Sequence, residues 1–145
     1  MDHLSDEKKH FIDTFLEAPR LARMATVDKQ GQPHVVPVWY GWDGESIWIS
    51  AYADTRKIKN LEENPLISIA VDEVGESEKT SAVILEGQAQ LLREPREFLR
   101  GQFLWIYKRY VGEEHIMEKT YQEWIEDPLN TLIKLTPRKV STWNW

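Results

Sequence analysis

Six short runs of β-branched and aromatic residues, most of them bounded by turn-forming residues, leave this chain few folds to choose from. They cover residues 21–27, 34–42, 46–52, 66–71, 81–92 and 131–143, the last interrupted at Pro137. Asp28-Lys29-Gln30-Gly31-Gln32-Pro33 and Asp43-Gly44 carry turn chemistry between the first three. Pro37 cannot donate to a strand ladder, which points to an edge or a bulge there. Helical spacing is confined to the remainder. Phe11, Ile12, Phe15 and Leu16 mark a helix over 5–17, and a short helix opens at Thr55 and stops at Asn64-Pro65. Pro95 suits a first helical position, Gly112 breaks the helix it starts, and residues 113–126 read as another. The expectation is one mainly β domain with attached helices (α+β), built on a small six-stranded barrel. Its parts are an N-terminal helix at 5–17, a barrel at 20–92, a helical insert at 95–126 and a C-terminal strand at 131–143.

The short helix carries an unusual charge pattern. Thr55-Arg56-Lys57-Ile58-Lys59 places three cations in its first turn and a half, where the helix dipole favours negative charge. One reading is a solvated helix face. The other is an anion site, because helix-start amides beside Lys and Arg suit a phosphate. At ~100° per residue, Ile58 and Leu61 mark the buried side, with Arg56, Lys59 and Asn60 opposite. Lys57 falls on the boundary, from which its side chain can reach a pocket rim.

Composition narrows the classes of function. A net charge of −6 and a pI near 5.3 leave no basic stripe for nucleic acid or an anionic membrane. No apolar run approaches the ~20 residues of a membrane span. The first residues lack the basic start and apolar stretch of a signal peptide, so the expected location is cytoplasmic. There is no cysteine, which removes disulfides, thiolate metal sites and thiol redox chemistry. Any electron transfer would need a bound cofactor. His3, His10, His34 and His115 show no metal-ligand spacing, and no metal is expected. Seven Trp residues suit core and interface packing, or a planar ligand.

The order strand, hairpin, strand, cationic short helix, Asn-Pro, strand resembles the flavin-binding split-barrel family typified by pyridoxamine 5′-phosphate oxidase. The resemblance is strongest over Thr55-Arg56-Lys57 through Asn64-Pro65, which is similar to that family's Ser-Arg-Lys…Asn-Pro segment. Supporting pieces are Gly31-Gln32-Pro33-His34-Val35-Val36-Pro37-Val38, Glu86-Gly87-Gln88-Ala89 and Pro137-Arg138-Lys139-Val140-Ser141-Thr142-Trp143. It implies a homodimer with FMN in the groove between subunits. His34, Val36, Pro37, Val38 and Trp39 would border the flavin ring, and Ile49 and Ser50 would lie beside the ribityl chain and phosphate. Arg56 and Lys57, assisted by Thr55, would bind the phosphate. Trp143 would reach the flavin from the partner subunit, with Trp145 capping the same groove.

The chain also departs from the oxidase. His34 and Trp39 replace basic residues at the ends of the flavin segment, and Ala82 stands where the oxidase offers a glutamine. The oxidase's Arg-Leu-containing tail has no counterpart after Trp143. The resemblance therefore implies the smaller branch that uses FMN or a deazaflavin, rather than pyridoxamine-phosphate oxidation. The leading expectation is hydride transfer to or from a small organic substrate. The alternative is a flavin, deazaflavin or haem carrier or sensor, because no acid–base dyad is evident and the catalytic residues are unknown. His34 is either a strand histidine or a proton donor at the flavin edge.

Overall fold

The computed structural model describes residues 4–76 and 79–144. Its strands are β1 (Ala22–Val27), β2 (Pro33–Val38), β3 (Tyr40–Trp42), β4 (Ile47–Tyr52), β5 (Leu66–Val74), β6 (Thr80–Leu92), β7 (Asn130–Leu135) and β8 (Lys139–Asn144). The helices are α1 (Asp6–Glu17), α2 (Arg56–Glu63), α3 (Arg96–Val111) and α4 (Lys119–Glu126). Eight strands replace six runs because two runs are interrupted, one at Trp39 and one at residues 136–138. The class is α+β with a curled antiparallel sheet, as expected.

The turns form for the reasons the residues suggest. Asp28 Oδ1 accepts from the backbone N–H of Gln30 and Gln32, both at 2.9 Å, and Gly31 takes the positive φ of 88° that closes the β1–β2 hairpin. Asp43 does the same for Glu45 and Ser46 in the β3–β4 turn.

Strand order β2-β1-β5-β6-β7-β4-β3 explains how the sheet curls. The two ends of that path, β2 and β3, are consecutive in the chain and separated only by Trp39. The sheet must bend until its edges approach, and the opening between them is where Trp39 sits. Pro37 falls on β2, which pairs only with β1, so its missing N–H costs no ladder bond on the open side. β6 is the seam. Its first half pairs with β8 and its second with β7, so the sheet changes partner at Gly87. A Cβ there would lie 3.0 Å from Leu135 Cδ1 and 3.3 Å from Arg138 N, which is why the corner carries glycine.

Two cores result. Inside the barrel, Met24, Ile49, Ile69, Val83 and Leu85 are fully buried with Ile12 and Leu16 of α1. On the other face of β4 and β7, Trp48 and Leu132 pack with Leu99, Phe103, Ile106 and Tyr107 of α3, joined by Ile116 and Ile125. Both faces of β4 and β7 are therefore covered, and their burial runs almost without alternation.

Three expectations change in detail. Asn60 is buried rather than on the outer face of α2, because its Nδ2 donates to Thr26 Oγ1 at 3.0 Å. Residues 113–118 are turns rather than helix, and α4 begins only at Lys119. Gly112, at φ 82°, ends α3, and the following bonds are local closures such as Ile116 N to Gly112 O. Pro95 caps α3 instead of opening it.

Candidate functional site

A cavity of about 610 Å³ opens where the sheet edges separate. Leu21, Pro37, Val38 and Trp39 form one side, Ser50, Ala51 and Tyr52 the floor, Thr55 and Lys57 one end, and Tyr107 and Trp124 the helical wall. This is a usual size for a small-molecule site, and its lining is mostly apolar with a few polar groups.

Pro37, Val38, Trp39, Ser50, Thr55 and Lys57, all singled out from the sequence, line this one cavity. The other five do not. Ile49 is fully buried in the barrel core, since a strand alternates and Ser50 takes the outward place. Val36 packs against the same core, and His34 is half-buried opposite Thr26. Arg56 is exposed on α2. Trp143 lies on β8 opposite Ala82, away from the cavity of its own chain. Trp145 lies outside the described residues.

Lys57 is the charged group of the site. It is half-buried, and burial holds its ammonium below the ordinary 10.5. Among the described residues no carboxylate pairs with it. The start of α2 is uncapped as well: the Thr55 hydroxyl donates backwards to Tyr52 O at 2.7 Å and makes no cap bond to the helix amides. A desolvated cation thus stands at the start of an open helix, at one end of an apolar cavity. That combination fits an oxyanion carried on a flat apolar body.

The polar floor is organised by the helices. Tyr107 Oη lies 2.9 Å from Ser50 Oγ and accepts from Asn130 Nδ2 at 2.7 Å. Burial raises the Tyr107 hydroxyl above 10, as it does that of Tyr52, where Asp127 adds to the effect. Both stay protonated near neutrality and can donate hydrogen bonds rather than act as bases.

Aromatic stacking sets the wall. Trp39 lies flat on Tyr110, with centroids 4.7 Å apart and planes 4° apart, and Trp124 meets Tyr107 edge-on at 5.8 Å. The wall is pinned to the barrel by α3. Tyr110 Oη donates to Arg20 O at 2.7 Å and accepts from Tyr40 N at 3.1 Å. Arg109 donates to Tyr40 O and, at 2.7 Å, to Glu17 O at the end of α1. The Tyr40 hydroxyl, pushed up to about 12 by burial, donates to Leu16 O and Ala18 O.

Leu21, Ala51, Tyr52, Tyr107 and Trp124 were not foreseen as lining residues. Tyr107 and Trp124 read as the apolar faces of helices, and nothing in their spacing says which ring is left half-wet. The usable signal was chemical: an aromatic with a polar tip on a buried face needs a partner.

The chain matches the pyridoxamine 5′-phosphate oxidase family over residues 9–144. It belongs to that family. It is 33% identical over 108 residues to a 5a,11a-dehydrotetracycline/5a,11a-dehydrooxytetracycline reductase of Streptomyces rimosus, across 68% of this chain and 76% of that one. Among solved structures it is similar to a conserved hypothetical protein of Mycobacterium tuberculosis (TM-score 0.78, 25% identity, covering 97% of this chain and 85% of that one). It is also similar in fold to an F420 reductase (TM-score 0.70, 22% identity, covering 89% and 94%). At family level the chain is thus related to oxidoreductases. Among the described residues no helix is long and apolar enough to cross a membrane, and no group of three or more His, Asp or Glu could hold a metal.

Proposed function

We propose that this protein is a flavin-dependent oxidoreductase that binds FMN through its phosphate and exchanges hydride with a small organic substrate. The observation that carries this reading is Lys57: a half-buried cation without an anionic partner among the described residues, at the end of a mostly apolar cavity of about 610 Å³. Lys57 and Thr55, with the open start of α2, hold the phosphate. Pro37, Val38 and Trp39 border the ring, and Ser50 supplies a polar contact beside the ribityl chain and phosphate. FMN, when bound, supplies the hydride chemistry that no side chain here can. The chain's part is to position the ring, exclude water with the aromatic wall, and donate a hydrogen bond from protonated Tyr52.

A homodimer belongs to the same proposal. Val35, Leu66 and Trp143, at 64%, 47% and 40% exposure, share the outer face of the β2-β1-β5-β6-β8 sheet. A second copy would cover that face and bring its Trp143 towards the cavity. Light scattering should give twice the 17.1 kDa chain mass, and a monomer at micromolar concentration would remove the shared groove.

The decisive experiment is an absorption spectrum of the purified protein followed by FMN titration. Bound flavin, with Lys57→Ala weakening FMN about ten- to hundredfold, is the expected result. Unchanged affinity in Lys57→Ala would place the phosphate elsewhere. A deazaflavin band would favour the second reading, which the likeness to an F420 reductase supports, and a Soret band would turn the assignment to a haem carrier.

A further inference from the structure

Asn130, Tyr107 and Ser50 form a chain of hydrogen bonds in which the Asn130 amide biases the direction of the rest. Asn130 is 1% exposed, and its Nδ2 donates both to Trp124 O at 2.9 Å and to Tyr107 Oη at 2.7 Å. The contact to Trp124 O fixes which end of the amide is nitrogen, because a carbonyl cannot donate and the reversed amide would set two acceptors against each other.

With Asn130 donating, Tyr107 Oη is an acceptor on that side. Its single proton is left available to its other neighbour, Ser50 Oγ, 2.9 Å away. Burial keeps that proton on the tyrosine. Ser50 Oγ then accepts from Tyr107, and its own proton has no partner among the described residues. Ser50 lines the cavity, so that proton is offered to whatever occupies it.

We infer that Asn130 and Tyr107 are positioning residues that bias Ser50 towards donating its hydrogen bond into the cavity, favouring ligands that present an oxyanion to it beside Lys57. The inference rests on the FMN reading above and deepens it. It assigns a role in ligand selection to α3 and to the first residue of β7, neither of which belongs to the Thr55–Lys57 segment. A serine without this relay can rotate to donate or accept, and so discriminates little. A serine whose lone pair is already engaged by Tyr107 favours acceptors.

The test is the ratio of affinities for FMN and riboflavin, which differ by the phosphate, measured by flavin fluorescence on wild type, Tyr107→Phe, Ser50→Ala and the double variant. Tyr107→Phe keeps the ring and removes the hydroxyl. It should weaken FMN about fivefold to tenfold and leave riboflavin within about twofold, so the ratio falls. In the Ser50→Ala background the same change should no longer move the ratio. If Tyr107→Phe weakens FMN and riboflavin equally, Tyr107 is only a wall and the inference is overturned while the FMN reading stands. If wild type binds neither flavin, both are overturned.

Discussion

The two cores of this protein are made of different residues and face different tasks. Inside the barrel the fully buried residues are chiefly aliphatic, with Met24, Ile69, Val83 and Leu85 among them. Between sheet and helices Trp48, Phe103 and Tyr107 are buried beside five aliphatic residues, and an aromatic margin of Trp39, Trp105, Tyr110 and Tyr121 sits half-buried around them. An aliphatic core asks only for volume and for the right face of each strand. An aromatic margin brings N–H and O–H groups that need partners, and rings too large to hide completely. The first core is scaffold. The second is scaffold on its inner side and binding surface on its outer side, which is why its hydrogen bonds end in a cavity.

The largest expected effect lies in the barrel. Leu85→Ala deletes a fully buried side chain and should cost about 2–5 kcal/mol, a fall in Tm of roughly 5–15 °C by calorimetry. Trp124→Ala should behave oppositely despite removing a larger side chain. Trp124 is 37% exposed and shields the cavity more than the core. Its loss should cost the ligand-free protein less than Leu85→Ala does while weakening FMN about fivefold. If Trp124→Ala unfolds as readily as Leu85→Ala, the helical wall is structural throughout and the contrast fails.

That contrast also explains what could be read from the sequence. The barrel strands follow from a period of two and from turns such as Asp28–Gly31, where local chemistry decides local shape. The cationic helix start was visible because Arg56, Lys57 and Lys59 oppose the dipole, and helical geometry singled out Lys57 as the one near a rim. Asn60 escaped because helix geometry cannot foresee a buried hydroxyl such as Thr26 on a neighbouring strand. Residues 113–118 escaped because Ile116 and Met117 supply a helical spacing that the Gly112 turn does not continue, leaving Met117 at 72% exposure. The wall escaped for a longer-range reason. Tyr107 is 57 residues from Ser50 and 23 from Asn130, so the relay exists only once the sheet has curled.

The smallest effect is the sharpest test of the cavity's electrostatics. Burial lowers the Lys57 pKa from 10.5, so between the lowered value and 10.5 the unfolded chain binds more protons at this site than the folded one. The stability contribution of Lys57 therefore rises with pH across that window, and below it the buried charge opposes folding. The side chain is only half-buried and solvent screens it, so the penalty is about 0.5 kcal/mol or less. Lys57→Met keeps the apolar stem and removes the charge. It should raise the Tm of the ligand-free protein at pH 7 by ~1–2 °C, and that advantage should shrink as the pH approaches 10.5. FMN inverts the order, because a bound phosphate rewards the cation: at saturating FMN the wild type should melt above the variant. A Tm difference that stays flat with pH and keeps its sign with FMN would mean that Lys57 is solvated like any surface lysine, and the anion site would lose its main argument.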